Sequence, residues 1–309
     1  MNANDLAFEN SRSYTDVLPT LNFVLNATDQ QKIRFAAARV LSAQNLNDLG
    51  RGLSYNFTRA APQDCPGGGV CFKFAQGTAG NANLDPFRAT QVLLSWEDYF
   101  APGGLLSVGG YYKQVDNFVT QANVATFVAD GTTAGGSTGN VATVTNGGSG
   151  KVYGVELGAQ YFFANGLGFQ ANYTRSDSES TQSSSFGTNL PIPGVPKNTV
   201  NLIGYFERAG FSARVAYAWR DVSVNSNFVG SSFTFQDLAG NPKTYTIYQA
   251  PYGQLDAQVG YEFRDHIGIV LQAVNVTNEK QHTYLQFKNE PFTYDDSGRR
   301  LFFGFKAKL

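Results

Sequence analysis

The chain has 309 residues, a net charge of −1 and 15 % charged residues, while 14 % of its residues are aromatic, with 25 Phe and 16 Tyr. The near-neutral charge argues against a nucleic-acid-binding protein, because a phosphate-binding surface needs an excess of Lys and Arg. Few charges combined with many aromatic, Gly, Ser, Thr and Asn residues favour strands joined by turns and polar loops over helices. No apolar run is long enough for a membrane-spanning helix.

Alternation of apolar and polar residues predicts about eleven strands of roughly ten residues each, the length that a tilted membrane strand requires. In chain order the predicted strands are 14–26, 32–41, 87–99, 105–116, 151–163, 167–175, 197–207, 211–220, 252–263, 267–275 and 298–309. Compact turns alternate with long polar segments, which lie at about 42–86, 117–150, 176–196, 221–250 and 276–297. Short turns on one side and long loops on the other are typical of an up-and-down transmembrane β-barrel.

Each predicted strand has an apolar face and a polar face, because successive side chains of a strand point to opposite sides of a sheet. The closing strand, 298–309, has an uninterrupted apolar face opposite a face that carries lysines. Aromatic residues also collect near the strand ends, as two membrane–water interfaces would select. The pattern therefore predicts lipid on one face and a polar lumen on the other. A soluble β-sandwich is the alternative, but its connections do not alternate in length.

The two cysteines, Cys65 and Cys71, flank a Gly-rich loop of a length that can close a disulfide. A disulfide would imply an oxidising exterior. Free or metal-bound thiols are the alternatives, although a metal site needs further ligands and neither His266 nor His282 is near in sequence.

No catalytic constellation is found, so the sequence predicts a protein that is not an enzyme and that holds no cofactor or metal. The carboxylates Glu156, Glu207, Asp256 and Glu262 lie on separate strands, which favours lining of the lumen over glycosidase chemistry. His266 is interpreted as a turn residue, and His282 lies in a long loop. Ligand-binding candidates are loop aromatics and polar-face arginines, with loop packing as the alternative role of the aromatics: Tyr55, Phe57, Phe72, Phe74, Phe228, Phe233, Phe235, Tyr245, Tyr248, Tyr284, Arg214 and Arg220.

Short stretches in order along nearly the whole chain resemble the C-terminal half of TonB-dependent outer-membrane receptors. They are VLPTLN at 17–22, IRFAAAR at 33–39, GNANLDP at 80–86, YYKQVDNFV at 111–119, YGVE at 153–156, VNVTN at 274–278 and GRR at 298–300 before the aromatic closing strand. Together they are most similar to the large-looped receptors of Caulobacter- and Xanthomonas-type bacteria. The chain differs from that family at Leu309, because the family usually ends in Phe.

The resemblance implies a barrel of about 22 strands that is occluded by an N-terminal plug and energised by the TonB complex. We therefore expect residues 1–309 to be the C-terminal part of the barrel domain, without the plug and the first barrel half. Residues 1–5 do not resemble an export signal, so we expect that a signal was removed or that the chain is incomplete.

The implied function is uptake of a bulky, scarce solute, either an oligosaccharide or an iron chelate, in the bacterial outer membrane. A passive pore or structural barrel without a plug is the alternative. The implied partners are outer-membrane lipid, the missing plug, the TonB complex, a small-molecule or oligosaccharide ligand, and the barrel-assembly machinery, which reads the strand at 298–309.

Overall fold

A computed structural model describes residues 13–50, 54–181, 185–225, 232–264 and 267–307. His266, Phe228 and the last two residues of the predicted closing strand lie outside these ranges. Within them, no helix is both long and apolar enough to cross a membrane.

The described residues are predominantly β-structure, with one short α-helix, α1 (Leu46–Gly50), and two 3-10 turns at Pro62–Asp64 and Pro66–Gly68. The strands are β1 (Thr20–Asn26), β2 (Gln31–Ser42), β3 (Ser54–Arg59), β4 (Phe72–Thr78), β5 (Phe87–Ala101), β6 (Gly104–Ala129), β7 (Gly136–Phe162), β8 (Leu167–Ser180), β9 (Asn198–Arg208), β10 (Phe211–Arg220), β11 (Ser223–Val224), β12 (Ser232–Gln236), β13 (Pro242–Thr246), β14 (Tyr248–Gln249), β15 (Tyr252–Arg264), β16 (Ile267–Val274), β17 (Gln281–Tyr284), β18 (Pro291–Asp295) and β19 (Arg300–Ala307).

The main sheet follows the chain as a meander, with β3 and β4 attached beside β7. Its order is β1-β2-β5-β6-β7-β8-β9-β10-β15-β16-β19. These eleven strands correspond one to one to the predicted strands, and the registers resolved between neighbours are antiparallel. The predicted all-β, antiparallel up-and-down arrangement is confirmed. The long loops build two smaller sheets, β11-β14-β17-β18 and β12-β13.

The chain divides into two compact units. The first comprises Met1–Leu18, Val40–Ala89 and Val115–Ser149, and the second comprises Pro19–Arg39, Thr90–Gln114 and Gly150–Leu309.

The strand register of the second unit produces one apolar and one polar face. Leu271 on β16 pairs with Val259 on β15 and Phe303 on β19, and its side chain is 55 % exposed. The next residue, Gln272, pairs with Gln258, which in turn pairs with Arg214 on β10. An exposed apolar face backed by a polar face is what a membrane strand requires.

Two predicted turns have the backbone conformation that tight hairpins need. Ala209 and Gly210, between β9 and β10, both have positive φ, at 52° and 80°. Gly166, between β7 and β8, has φ 94°. Positive φ matches the right-handed twist of the flanking strands, and Asn-Gly is a favoured sequence for it.

Several predicted boundaries are wrong where strands continue past the alternating pattern. The predicted loop at 117–150 is largely strand, because β6 extends to Ala129 and β7 begins at Gly136. Backbone hydrogen bonds to the neighbouring strand, rather than burial of one face, maintain this part of the pairing. An apolar face is therefore not needed, and the Gly-, Thr- and Asn-rich sequence shows no alternation from which a strand could be predicted. The predicted loop at 42–86 contains α1, β3 and β4, while the first strand begins at Thr20 instead of residue 14.

Candidate ligand-binding surfaces

In the first unit, β3 and β4 bring predicted ligand-binding aromatics together. Phe57 pairs with Phe74 across the hairpin, and Tyr55 lies edge-on to Phe74 with 5.1 Å between ring centroids. Phe57 is also edge-on to Phe74, at 6.1 Å. Phe74 is only 2 % exposed, whereas Phe57 and Phe72 are exposed. Phe74 thus packs the hairpin, and Phe57 and Phe72 present aromatic surface to the solvent.

The connection between β3 and β4 is closed by a disulfide between Cys65 and Cys71, whose Cα atoms are 5.5 Å apart. Both cysteines are buried with Ala60 in a small cluster. The backbone N–H of Ala60 donates to the carbonyl of Cys71 at 3.0 Å, which continues the hairpin up to the disulfide. The predicted Gly-rich loop therefore has a fixed base.

Asp130, at the tip between β6 and β7, anchors this hairpin. Its carboxylate accepts hydrogen bonds from the backbone N–H of Phe74 at 2.9 Å and from the backbone N–H and hydroxyl of Thr132 at 2.9 and 2.7 Å. Burial raises the pKa of Asp130, but hydrogen bonds from Ser137, Thr132 and Phe74 outweigh it and hold the pKa well below its ordinary value. The carboxylate is therefore charged at neutral pH.

In the second unit, the sheet β11-β14-β17-β18 contains two predicted ligand residues. Tyr248 and Tyr284 pair across β14 and β17, and their rings stack at 5.5 Å. Burial raises the pKa of Tyr284, with Tyr248 and Asp221 contributing. Since Tyr284 is buried, its ring packs this sheet. His282 stacks on Tyr294 at 5.3 Å in the same sheet.

Four aromatic residues from three long loops form a second group, which we call the loop aromatic cluster: Phe186, Phe235, Tyr245 and Phe287. The ring of Phe186 lies 4.9 Å from Tyr245 and 5.7 Å from Phe287, and Phe235 lies 5.1 Å from Tyr245. Two hydrogen bonds join the first two loops: the backbone N–H of Thr244 donates to the hydroxyl of Ser185 at 2.8 Å, and the backbone N–H of Ser185 donates to the carbonyl of Thr244 at 3.0 Å. Phe186 and Phe287 are 45 % and 48 % exposed, so the cluster presents open ring surface.

The predicted arginines lie on the polar face of β10. The guanidinium of Arg220 lies over the ring of Tyr252, 5.8 Å from its centroid. Arg214 pairs with Tyr205 and Gln258. A cavity of about 440 Å³ on this face is lined by Arg214, Tyr205, Glu207, Gln170 and Gln258, among others. Arg214 thus borders a cavity on the polar face, whereas Arg220 packs against Tyr252.

The sequence prediction found most of these residues but not their grouping. The β3–β4 hairpin brings together Tyr55, Phe57 and Phe74, and the sheet of the long loops brings together Tyr248 and Tyr284. Phe233 lies in β12, where its backbone pairs with Tyr245. Phe186 and Phe287 were missed, because a single aromatic residue in a Ser- or Lys-containing loop has no periodic signal. Ligand contact by any of these residues stays a prediction.

Comparison with known proteins agrees with this architecture. The family described as TonB dependent receptor-like, beta-barrel matches residues 2–278. Among curated proteins, no relative matches the chain. Solved structures do match, among them the ferric enterobactin receptor PfeA of Pseudomonas aeruginosa in complex with enterobactin. The two sequences are 17 % identical and the TM-score is 0.61. The matched region covers 94 % of this chain and 40 % of the receptor chain.

Two siderophore receptors of Acinetobacter baumannii are similar as well. PirA is 15 % identical, with a TM-score of 0.62 and coverage of 94 % of this chain and 40 % of its own. PiuA is 18 % identical, with a TM-score of 0.56 and coverage of 93 % and 35 %. The chain thus spans about two fifths of the length of these receptors, and at these identities the likeness shows the fold.

The chain belongs to the TonB-dependent receptor β-barrel family. Members of this family are β-barrel proteins of the outer membrane of Gram-negative bacteria, which confirms the predicted fold class and localisation. The family and the structural relatives are receptors rather than enzymes. The similarity to Caulobacter- and Xanthomonas-type receptors in particular stays a prediction.

Proposed function

We propose that this chain contributes barrel wall and external loops to a receptor that takes up an iron chelate bearing aromatic groups. Family membership supports a role in outer-membrane uptake. The similar solved structures are siderophore receptors, and one of them is described in complex with enterobactin. The energising TonB complex and a plug are the partners that such a receptor requires.

The loop aromatic cluster is the observation that carries this proposal. Three separate loops converge to bring four rings within 4.9–6.5 Å of their neighbours. Two of these rings are about half exposed, although a cluster that served only loop packing would bury them to gain hydrophobic free energy. Exposed ring faces and edges bind planar aromatic groups by offset or edge-to-face stacking.

The topology of the main sheet supports a larger closed barrel. Among the described residues, β1 pairs only with β2, and β19 pairs only with β16. Because the path has eleven strands, its antiparallel alternation makes β1 and β19 run in the same direction. An open edge in lipid leaves backbone groups without partners at several kcal/mol each. Closing the sheet into a barrel with antiparallel neighbours throughout therefore requires an odd number of further strands between β19 and β1. Eleven further strands would give a barrel of about 22 strands, of which this chain would be the second half.

Uptake of radiolabelled ferric catecholate into iron-starved cells tests the function. Replacing both Phe186 and Phe287 by Ala should raise the concentration of chelate that gives half-maximal uptake by roughly tenfold, because two stacking contacts are lost. The maximal rate of uptake should not change. Tyr294→Ala, an exposed aromatic of β18 outside the cluster, is the matched control.

The same assay distinguishes the alternatives. A proton uncoupler should abolish uptake, since energised transport depends on the TonB complex. Uptake that persists with the uncoupler would instead indicate a passive pore. Saturable uptake of an oligosaccharide, without uptake of the ferric catecholate, would contradict the iron-chelate assignment while leaving the receptor role intact.

A further inference from the structure

β3 (Ser54–Arg59) is a free edge of the sheet in the first unit. Among the described residues, β3 pairs only with β4, whereas β4 pairs with both β3 and β7. A free edge presents unpaired N–H and C=O groups to which another strand can bind, and proteins often block such edges with proline. The edge strand β18 of the second unit begins with Pro291, but β3 contains no proline. The β3 edge is therefore open to strand addition.

The hydrogen bonds of the β3–β4 hairpin show which backbone groups of β3 point outward. The N–H of Ala60 donates to the carbonyl of Cys71 across the hairpin. Because antiparallel strands alternate between hydrogen-bonded and non-hydrogen-bonded residue pairs, Thr58 points its N–H and C=O toward β4 as well. The N–H and C=O of Phe57 and Arg59 therefore point away from β4, toward the free edge.

Contacts of β4 agree with this pattern and hold the edge in position. Phe74 pairs with Phe57, and its N–H points away from β3 to the carboxylate of Asp130. The disulfide between Cys65 and Cys71 closes the connection that follows β3. A strand that is already fixed loses little conformational entropy when a partner binds, which favours affinity.

The side chains along this edge combine aromatic surface with positive charge. Phe57 pairs with Phe74 and Arg59 pairs with Phe72, which places these residues on one face of the hairpin. Phe57, Arg59 and Phe72 are exposed on that face. An added strand would therefore meet an aromatic ring at Phe57 and a guanidinium at Arg59, two residues apart.

The charges of the hairpin favour an acidic partner. Residues 54–78 carry two cations, Arg59 and Lys73, and one carboxylate, Asp64. Neither cation forms an ion pair within the part of the chain that the structure describes. The nearby carboxylate of Asp130 is engaged by backbone and hydroxyl hydrogen bonds. The same cations disfavour pairing with β3 of a second copy, because like charges on paired strands are destabilising.

We propose that β3 binds an extended acidic peptide segment of a partner protein as an additional antiparallel strand. The outward N–H and C=O of Phe57 and Arg59 pair with the peptide backbone, as in other strand-addition complexes. An apolar peptide residue packs opposite Phe57, and a Glu or Asp two residues away lies opposite Arg59. β3 lies in a long connection, the kind that is external in outer-membrane barrels, so the partner is a protein outside the cell or on its surface.

The test is calorimetric titration of the receptor in detergent with a synthetic peptide that repeats Glu-Thr-Val-Thr. Alternation places its Glu and Val residues on one face, where they can reach Arg59 and Phe57. A peptide with Lys in place of Glu should bind roughly tenfold more weakly, because attraction becomes repulsion. N-methylation of Val and Glu should cause a loss of at least that size, since it removes the N–H groups that donate to β3. The titration contains no iron chelate, so its outcome is independent of the proposed uptake function.

Variants of Arg59 separate the charge from the backbone contact. Arg59→Gln should weaken binding about threefold, since only an exposed ion pair is lost. Arg59→Pro should weaken binding about thirtyfold, because proline also removes the outward N–H and blocks the edge. That N–H does not bond to β4, so the hairpin remains folded, which formation of the disulfide between Cys65 and Cys71 reports. Arg299→Gln, at an exposed arginine outside the hairpin, is the control and should bind like the wild type.

The proposal is overturned if the acidic peptide does not bind at millimolar concentration, or if the Lys-containing and N-methylated peptides bind as tightly. Equal binding by Arg59→Pro and the wild type would also overturn it. Self-association of the receptor that Arg59→Pro abolishes, without peptide binding, would assign the edge to a second copy and reject the peptide assignment.

Discussion

The backbone N–H of Phe74 and the carboxylate of Asp130, 56 residues apart in the chain, are joined by a hydrogen bond of 2.9 Å. This bond fixes the β3–β4 hairpin to the tip between β6 and β7 within the first unit. The same carboxylate also accepts hydrogen bonds from the backbone N–H and the hydroxyl of Thr132, which stabilise the turn between β6 and β7. One charged group therefore organises two loops.

Asp130→Asn should loosen the hairpin, because a neutral amide oxygen accepts more weakly than a carboxylate. We expect exchange of the Phe74 amide proton to become roughly tenfold faster at pH 7. Asp237→Asn, which affects an analogous turn carboxylate between β12 and β13, is the control and should leave Phe74 unchanged. Unaltered protection of Phe74 in the Asp130 variant would contradict this role.

The pH dependence of this anchor follows from the direction of its pKa shift. The pKa of Asp130 is lower in the folded protein than its ordinary value of 3.8. The stabilisation is therefore fully present above the unfolded pKa and is lost only as the pH falls through the lower folded value. Protection of Phe74 should be the same at pH 7 and pH 5. A marked loss over that interval would exclude the carboxylate as the anchor.

Replacing Cys65 and Cys71 by Ser should destabilise the β3–β4 connection locally. In the chain-entropy model, a disulfide that closes so short a loop raises the free energy of unfolding by about 2–3 kcal/mol. We expect limited proteolysis near residues 60–71 in the variant and in reduced wild-type protein, whereas the oxidised protein stays intact. Heat-dependent gel mobility should not change, because the strands of the second unit do not depend on this bond.

Two neighbouring residues of β16 test which face of the sheet meets lipid. Leu271→Lys should cost about 2–4 kcal/mol near the bilayer centre, because lysine is charged there. Gln272→Lys, one residue along and on the opposite face, should be tolerated. The measurement is the amount of folded protein in outer membranes. Equal yields of the two variants would reject the assignment of faces.

Gly166→Ala should destabilise the hairpin between β7 and β8. Its φ of 94° is strained for any L-residue, and an added Cβ would lie 2.5 Å from the carbonyl oxygen of Glu207. We expect a loss of about 1–2 kcal/mol, measured by urea unfolding in detergent. Gly204→Ala is the matched control, because a Cβ there meets no atom within 4 Å. Ala at Gly204 should not destabilise the protein, because removing a glycine lowers the entropy of the unfolded chain, and a loss of similar size at Gly204 would contradict the role of the turn.

Strand number, order and faces were predictable for the main sheet because each depends on local periodicity. For the main-sheet strands from β9 onward, the alternation predicted the bounds to within two residues, and β10 (Phe211–Arg220) matched its predicted bounds. The long loops were not predictable in the same way. Their short strands pair through backbone hydrogen bonds, and their Gly, Thr and Asn residues have no periodic pattern.

The sequence by itself determined the class of this protein, because a membrane strand must present apolar residues to lipid at every second position. It also identified the aromatic loop residues, but as isolated candidates. Only the tertiary structure showed that Phe186, Phe235, Tyr245 and Phe287 converge from three loops. These contacts join residues distant in sequence, and contacts of that kind leave no local pattern.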